Sequence, residues 1–190
     1  MDRLHQAILI FSTILASWLG MQAVHESGHI LGAWASGGHV TKVVLHPLTI
    51  SRTESTSDHP LFVVWAGPVI GVLLPVGIWQ IAARLRITGS FLLRFFAGFC
   101  LIANGLYIGI GSFDGIGDCG VMLQHGSPKW ILWLFGAVTV PVGFLLWHRQ
   151  GEHFGFGPAK GRVDRGVAWS ALVFCLMFLT IAFVDRKSVV

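Results

Sequence analysis

The chain has 190 residues, 54% of them hydrophobic and only 12% charged, where soluble domains carry about a quarter charged residues. This balance excludes an ordinary soluble globular protein and indicates a single compact domain embedded in a membrane, residues 1–190. The net charge of +4 calls for no nucleic acid, because membrane orientation and anionic lipid headgroups account for it.

Five apolar spans are predicted, giving an all-α polytopic membrane protein with a short extended segment after the first helix. The first runs from about Leu4 to Ser36 and is stopped by Gly37-Gly38. Within it, Ala7 to Val24 is free of ionisable side chains, and His25-Glu26-Ser27-Gly28-His29 follows. The span is too long, and lacks the small-residue cleavage site, for a removable signal peptide. From His39 to His59 the β-branched run Val40-Thr41-Lys42-Val43-Val44, then Thr49-Ile50 and the polar Ser51 to Asp58, favour a small interfacial hairpin. Pro47 argues against a central strand there.

The second span, about Pro60 to Ala83, contains Gly67-Pro68, Gly71 and Pro75-Val76-Gly77. Gly67 and Gly71 form a small-residue stripe along which another helix can come close. The third span, about Ser90 to Gly111, leads into Phe113-Asp114-Gly115-Ile116-Gly117-Asp118. The domain core is expected over about 4–125, with additional helices at about 128–147 and 167–184. Between those two, His148 to Gly166 is rich in Gly and charge and reads as a flexible connector. Trp34, Trp130, Trp147 and Trp169 lie near span ends, where interfacial anchors belong. Cys100, Cys119 and Cys175 are odd in number and give neither a disulfide framework nor zinc-ribbon spacing.

Chemistry is concentrated in the pentad. Ionisable groups toward one end of a membrane helix are expensive and mark a functional site. At i, i+4 the imidazoles of His25 and His29 leave the same helix face. That pair suits one zinc ion, with Glu26 beside it as general base. A tetrahedral site then needs one more protein ligand and an open position for water. Spans one and three run parallel, so the counterpart is sought at the C-terminal end of span three. Asp114 and Asp118 stand there; Asp114 is the first choice because it comes earlier along the helix, and Asp118 is the alternative, or a residue that braces a ligand. Glu54, Asp58, His46 and His125 are weaker candidates. Asn104, a polar amide inside span three, either holds a substrate carbonyl or makes an interhelical hydrogen bond.

Together, His-Glu-Ser-Gly-His in a membrane helix, Ala66-Gly67-Pro68-Val69-Ile70-Gly71 in the next, and Asn104 followed by Asp114-Gly115 resemble the site-2 proteases, the intramembrane zinc metalloproteases of peptidase family M50 and especially its short, M50B-like members. The resemblance covers roughly residues 20 to 120. It implies zinc held by His25, His29 and Asp114, water activated by Glu26, a substrate-holding role for Asn104, and cleavage of transmembrane segments of other membrane proteins. By the same resemblance, the extended stretch after the first helix receives substrate by strand addition. The expected setting is the lipid bilayer of a cell membrane, that of a prokaryote. The chain departs from the family pattern in having Leu106 to Phe113 in place of a proline-rich run, a longer Asn-to-Asp spacing, and Gly71 where many members have Asn. Two other classes account for less of the pattern. One is a catalytically silent relative that binds a membrane partner. The other is a metal transporter, which needs ionisable residues at several depths in several spans.

Overall fold

The computed structural model describes residues 2–46 and 50–185. Among these residues five helices are long and apolar enough to cross a membrane, and with one small antiparallel hairpin they make an all-α polytopic membrane protein. In chain order these are α1 (Asp2–Ala35), strands β1 (His39–Val44) and β2 (Arg52–Thr56), α2 (Pro60–Arg84) and α3 (Ser90–Asp114). A short helix α4 (Asp118–Gln124) follows, then α5 (Lys129–Trp147) and α6 (Arg165–Asp185). The hairpin forms where the β-branched run predicts it, with Val43 opposite Thr53 and Val44 opposite Arg52. Pro47 and Thr49 lie outside the described residues.

Helix α1 is the centre of the bundle, packing on α2, α6, α3 and both strands, while α5 covers the far side of α3. In a bilayer, apolar side chains gain nothing by leaving lipid, so close backbone approach and interhelical hydrogen bonds have to hold such helices together. The α1–α2 seam shows the first: a Cβ on Gly28 would run into the Ala66 carbonyl and Gly67 Cα, and one on Gly32 would meet the Ala66 side chain. Pro68 and Pro75 are accommodated inside α2 and are buried.

The stretch after α5 differs from the flexible connector expected of it. It makes two 3₁₀ turns, Gly151–Phe154 and Gly157–Ala159, and its Phe154 is buried against Leu9, Ala168 and Ala171. Gln6 Nε2 donates to the Phe154 carbonyl at 2.9 Å, so this loop is docked on the start of α1. Of the tryptophans expected as interfacial anchors, Trp34, Trp130 and Trp169 are more than half exposed. Trp147 instead stacks on Phe95 at 4.9 Å and donates Nε1 to the Phe95 carbonyl at 2.9 Å.

Candidate metal centre

His25 and His29 lie on the face of α1 that meets α2 and α3, and both are buried. Each imidazole is aimed by its Nδ1. His25 Nδ1 donates to Asn104 Oδ1 at 2.6 Å, and His29 Nδ1 donates to the Val63 carbonyl at 3.0 Å. Both acceptors are amide oxygens, which only accept, so the proton of each neutral ring sits on Nδ1. Asn104 is itself fixed, with Nδ2 donating to the Cys100 carbonyl at 2.8 Å and a relative exposure of 1%. Gly67 and Gly71 turn out to serve this geometry. A Cβ on Gly67 would collide with the His29 ring, and one on Gly71 would come within 2.9 Å of Asn104 Oδ1. The small-residue stripe of α2 is thus a seat for two side chains of the site.

The two Nε2 atoms then face each other at 3.1 Å. Asp118 Oδ2 stands 2.8 Å from His25 Nε2 and 3.3 Å from His29 Nε2. Three electron pairs converge on one point. A proton can serve only one of these contacts at a time, whereas a divalent cation serves all three. Around a tetrahedral zinc with bonds of about 2.0–2.1 Å, ligand atoms are separated by about 3.3 Å; the observed 3.1 and 3.3 Å fit that spacing, and the 2.8 Å between His25 Nε2 and Asp118 Oδ2 is shorter than it. Hydrogen-bonded Nδ1 atoms are also what holds ligating imidazoles in the right tautomer. Among the described residues this is the one grouping of three or more His, Cys, Asp or Glu side chains able to hold a metal ion.

The third member of the group is Asp118, and Asp114, the first choice from the sequence, stays outside it. The reason is distance along α3. Asn104 marks the level of His25, and Asp114 lies ten residues further on, about 15 Å at helical rise. Asp114 ends α3, exposed, on the rim of the cleft. The chain then reverses: Gly115 (φ 62°) caps the helix through its amide bond to the Gly111 carbonyl at 3.0 Å, and Gly117 (φ 62°, ψ −137°) starts α4 back toward the bundle. That second conformation is open to glycine almost alone. A Cβ on Gly117 would also collide with the Tyr107 hydroxyl. Tyr107, overlooked at the level of sequence, grips the turn. Its hydroxyl accepts the Asp118 amide at 3.2 Å, its carbonyl accepts the Cys119 thiol at 3.3 Å, and its ring stands edge-on to His25 at 5.9 Å.

Glu26 is 5% exposed and lines a cleft of about 1070 Å³ shared with His25, His29, Asp118, Tyr107 and Thr53. Its Oε2 accepts the Thr53 hydroxyl at 2.7 Å. Of the weaker candidates, Glu54 pairs with Arg52 at the exposed hairpin surface at 3.3 Å, and Asp58 and His125 are exposed; none of these, nor His46, joins the cluster. Asn104 makes the interhelical hydrogen bond, to His25, and it is also among the residues lining the cleft. No known protein family, curated protein or solved structure matches the chain.

Proposed function

We propose that the protein is an intramembrane zinc metalloprotease that hydrolyses peptide bonds in or near transmembrane segments of other membrane proteins. The observation that supports this reading most is the convergence of His25 Nε2, His29 Nε2 and Asp118 Oδ2 in a membrane bundle, next to the buried carboxylate of Glu26. The pentad and the paired glycines of α2 support its resemblance to site-2 proteases.

His25, His29 and Asp118 would hold the metal, with Asn104 and the Val63 carbonyl keeping both imidazoles in the ligating tautomer. Zinc bound there supplies Lewis acidity and brings the pKa of its water toward about 7. Glu26 is the group placed to take the proton from the attacking water and return it to the leaving amine, so that water and a peptide bond become a carboxylate and an amine. A peptide bond inside a helix is shielded by the helix's own hydrogen bonds, so a helical substrate has to unwind locally, and Gly or Pro near the scissile bond assists that. Burial of His25, Glu26 and His29 keeps them away from bulk water except through the cleft, which strengthens each charge interaction among them.

Replacing Glu26 with Gln tests the reading. In proteoliposomes carrying a single-span reporter with Gly and Pro at mid-span, cleavage is expected to fall at least 10²-fold, the low end of what a general base contributes, with bound zinc retained. Undiminished cleavage by Glu26→Gln would overturn it.

A further inference from the structure

The face that β2 turns toward α1 carries a hydroxyl at every second residue: Ser51, Thr53, Ser55 and Ser57, alternating with the exposed Arg52, Glu54, Thr56 and Asp58. Two of these hydroxyls are matched to α1 one helical turn apart. Ser51 donates both its amide (2.7 Å) and its hydroxyl (2.8 Å) to Gln22 Oε1, and Thr53 donates its hydroxyl to Glu26 Oε2 at 2.7 Å. Four residues of helix rise about 6 Å, and two residues of strand span about 6.6 Å, so the two repeats fall into register. Ser57 and Ser36 close the far end with a hydroxyl contact at 2.8 Å. The hairpin is thereby docked on α1 in a single register, and one of its docking bonds ends on the carboxylate beside the metal centre.

We propose that Thr53 is a positioning residue that sets the orientation of the Glu26 carboxylate, so that docking of the hairpin on α1 completes the site. This rests on the proposed role of Glu26 as general base. With Oε2 engaged by Thr53, the carboxylate is held in one rotamer and its other oxygen is left for the water proton. Hydroxyl and carboxylate belong to different elements, so a hairpin displaced from α1 leaves the base free to turn.

The test uses the full-length protein in detergent with Thr53→Val, which keeps shape and loses the donor, and Thr53→Ser, which keeps the donor. The Glu26 carboxyl band is taken from the infrared difference between wild type and Glu26→Gln, a readout that needs no turnover. Thr53→Val is expected to shift that band and to lower kcat about ten- to a hundredfold on a fluorescent single-span peptide with Gly and Pro at mid-span. KM and zinc content stay as in wild type, and Thr53→Ser restores both band and rate. An unshifted band in Thr53→Val, a shifted band with unchanged kcat, or a higher KM with kcat intact would each overturn the inference while leaving the proposed function in place. A wild type that neither binds zinc nor cleaves would overturn the proposed function, and this inference with it.

Discussion

Gly67→Ala would perturb the candidate metal centre without replacing any of its ligating residues. His29 donates Nδ1 to the carbonyl of Val63, one helical turn before Gly67, so the imidazole lies directly across the Gly67 Cα. An added methyl group would overlap the ring by about 1 Å or more, measured against carbon contacts of about 3.5–4.0 Å. The neighbours leave little room for relief, since a Cβ on Gly28 already meets the Ala66 carbonyl across the same seam. Either the ring swings away, losing the Val63 bond and taking Nε2 out of the cluster, or α1 and α2 separate. Overpacking of this kind costs about 1–3 kcal/mol, and loss of the group that aims a ligand lowers metal affinity about 10- to 100-fold. The assay is zinc competition against a chromophoric chelator in detergent, beside Gly71→Ala and Gly77→Ala. The first control presses on the end of the Asn104 side chain and should weaken zinc less; the second points into open space and should not weaken it. Wild-type zinc affinity in Gly67→Ala would refute the seating argument.

Asn104→Leu removes the acceptor that aims His25 and should lower zinc affinity about 10- to 100-fold with little change in helix content, checked by the same competition and by circular dichroism. Gly117→Ala demands a conformation that alanine avoids and drives a methyl group into the Tyr107 hydroxyl. It should cost about 1–3 kcal/mol and release Asp118, so zinc is lost in titration; retention at wild-type affinity would contradict the turn's role. Tyr107→Phe leaves the Asp118 amide without its acceptor and should lower the thermal transition by the equivalent of about 1 kcal/mol. Burial, with the Asp118 carboxylate beside it, pushes the Cys119 thiol up to about 11, so at pH 8 only about one thiol in a thousand is thiolate. A water-soluble maleimide should therefore leave Cys119 unmodified in the native protein and label it only after unfolding, read by intact mass.

The spans were legible because a bilayer makes length and lack of charge decisive, and His25, Glu26 and His29 because their spacing fixes their face on a helix. The hairpin followed from the β-branched Val40 to Val44. What the linear pattern hid was the path of the chain after α3. Ranking Asp114 over Asp118 treated position along the helix as depth, whereas Gly115 and Gly117 fold the next turn back on Tyr107 and carry Asp118 inward. The signal was present as two glycines bracketing Ile116, a spacing suited to a reversal. Asn104 gave the level of His25, and ten further residues of helix already placed Asp114 too far. The docked loop after α5 was misread because glycine and charge stand for flexibility only where no apolar anchor interrupts them, and Phe154 is such an anchor. Thr53 could be singled out only once β2 was placed against α1, since nothing in the order of residues ties it to Glu26.

The central claim is a metal held by His25, His29 and Asp118, and metal content tests it most directly. Detergent-purified wild type is measured beside His25→Ala, Asp114→Asn and Asp118→Asn, each shown by circular dichroism to keep its helices. The account expects near-stoichiometric zinc in wild type and Asp114→Asn, and its loss in His25→Ala and Asp118→Asn. Folded wild type without zinc, or zinc lost in Asp114→Asn and kept in Asp118→Asn, would contradict it.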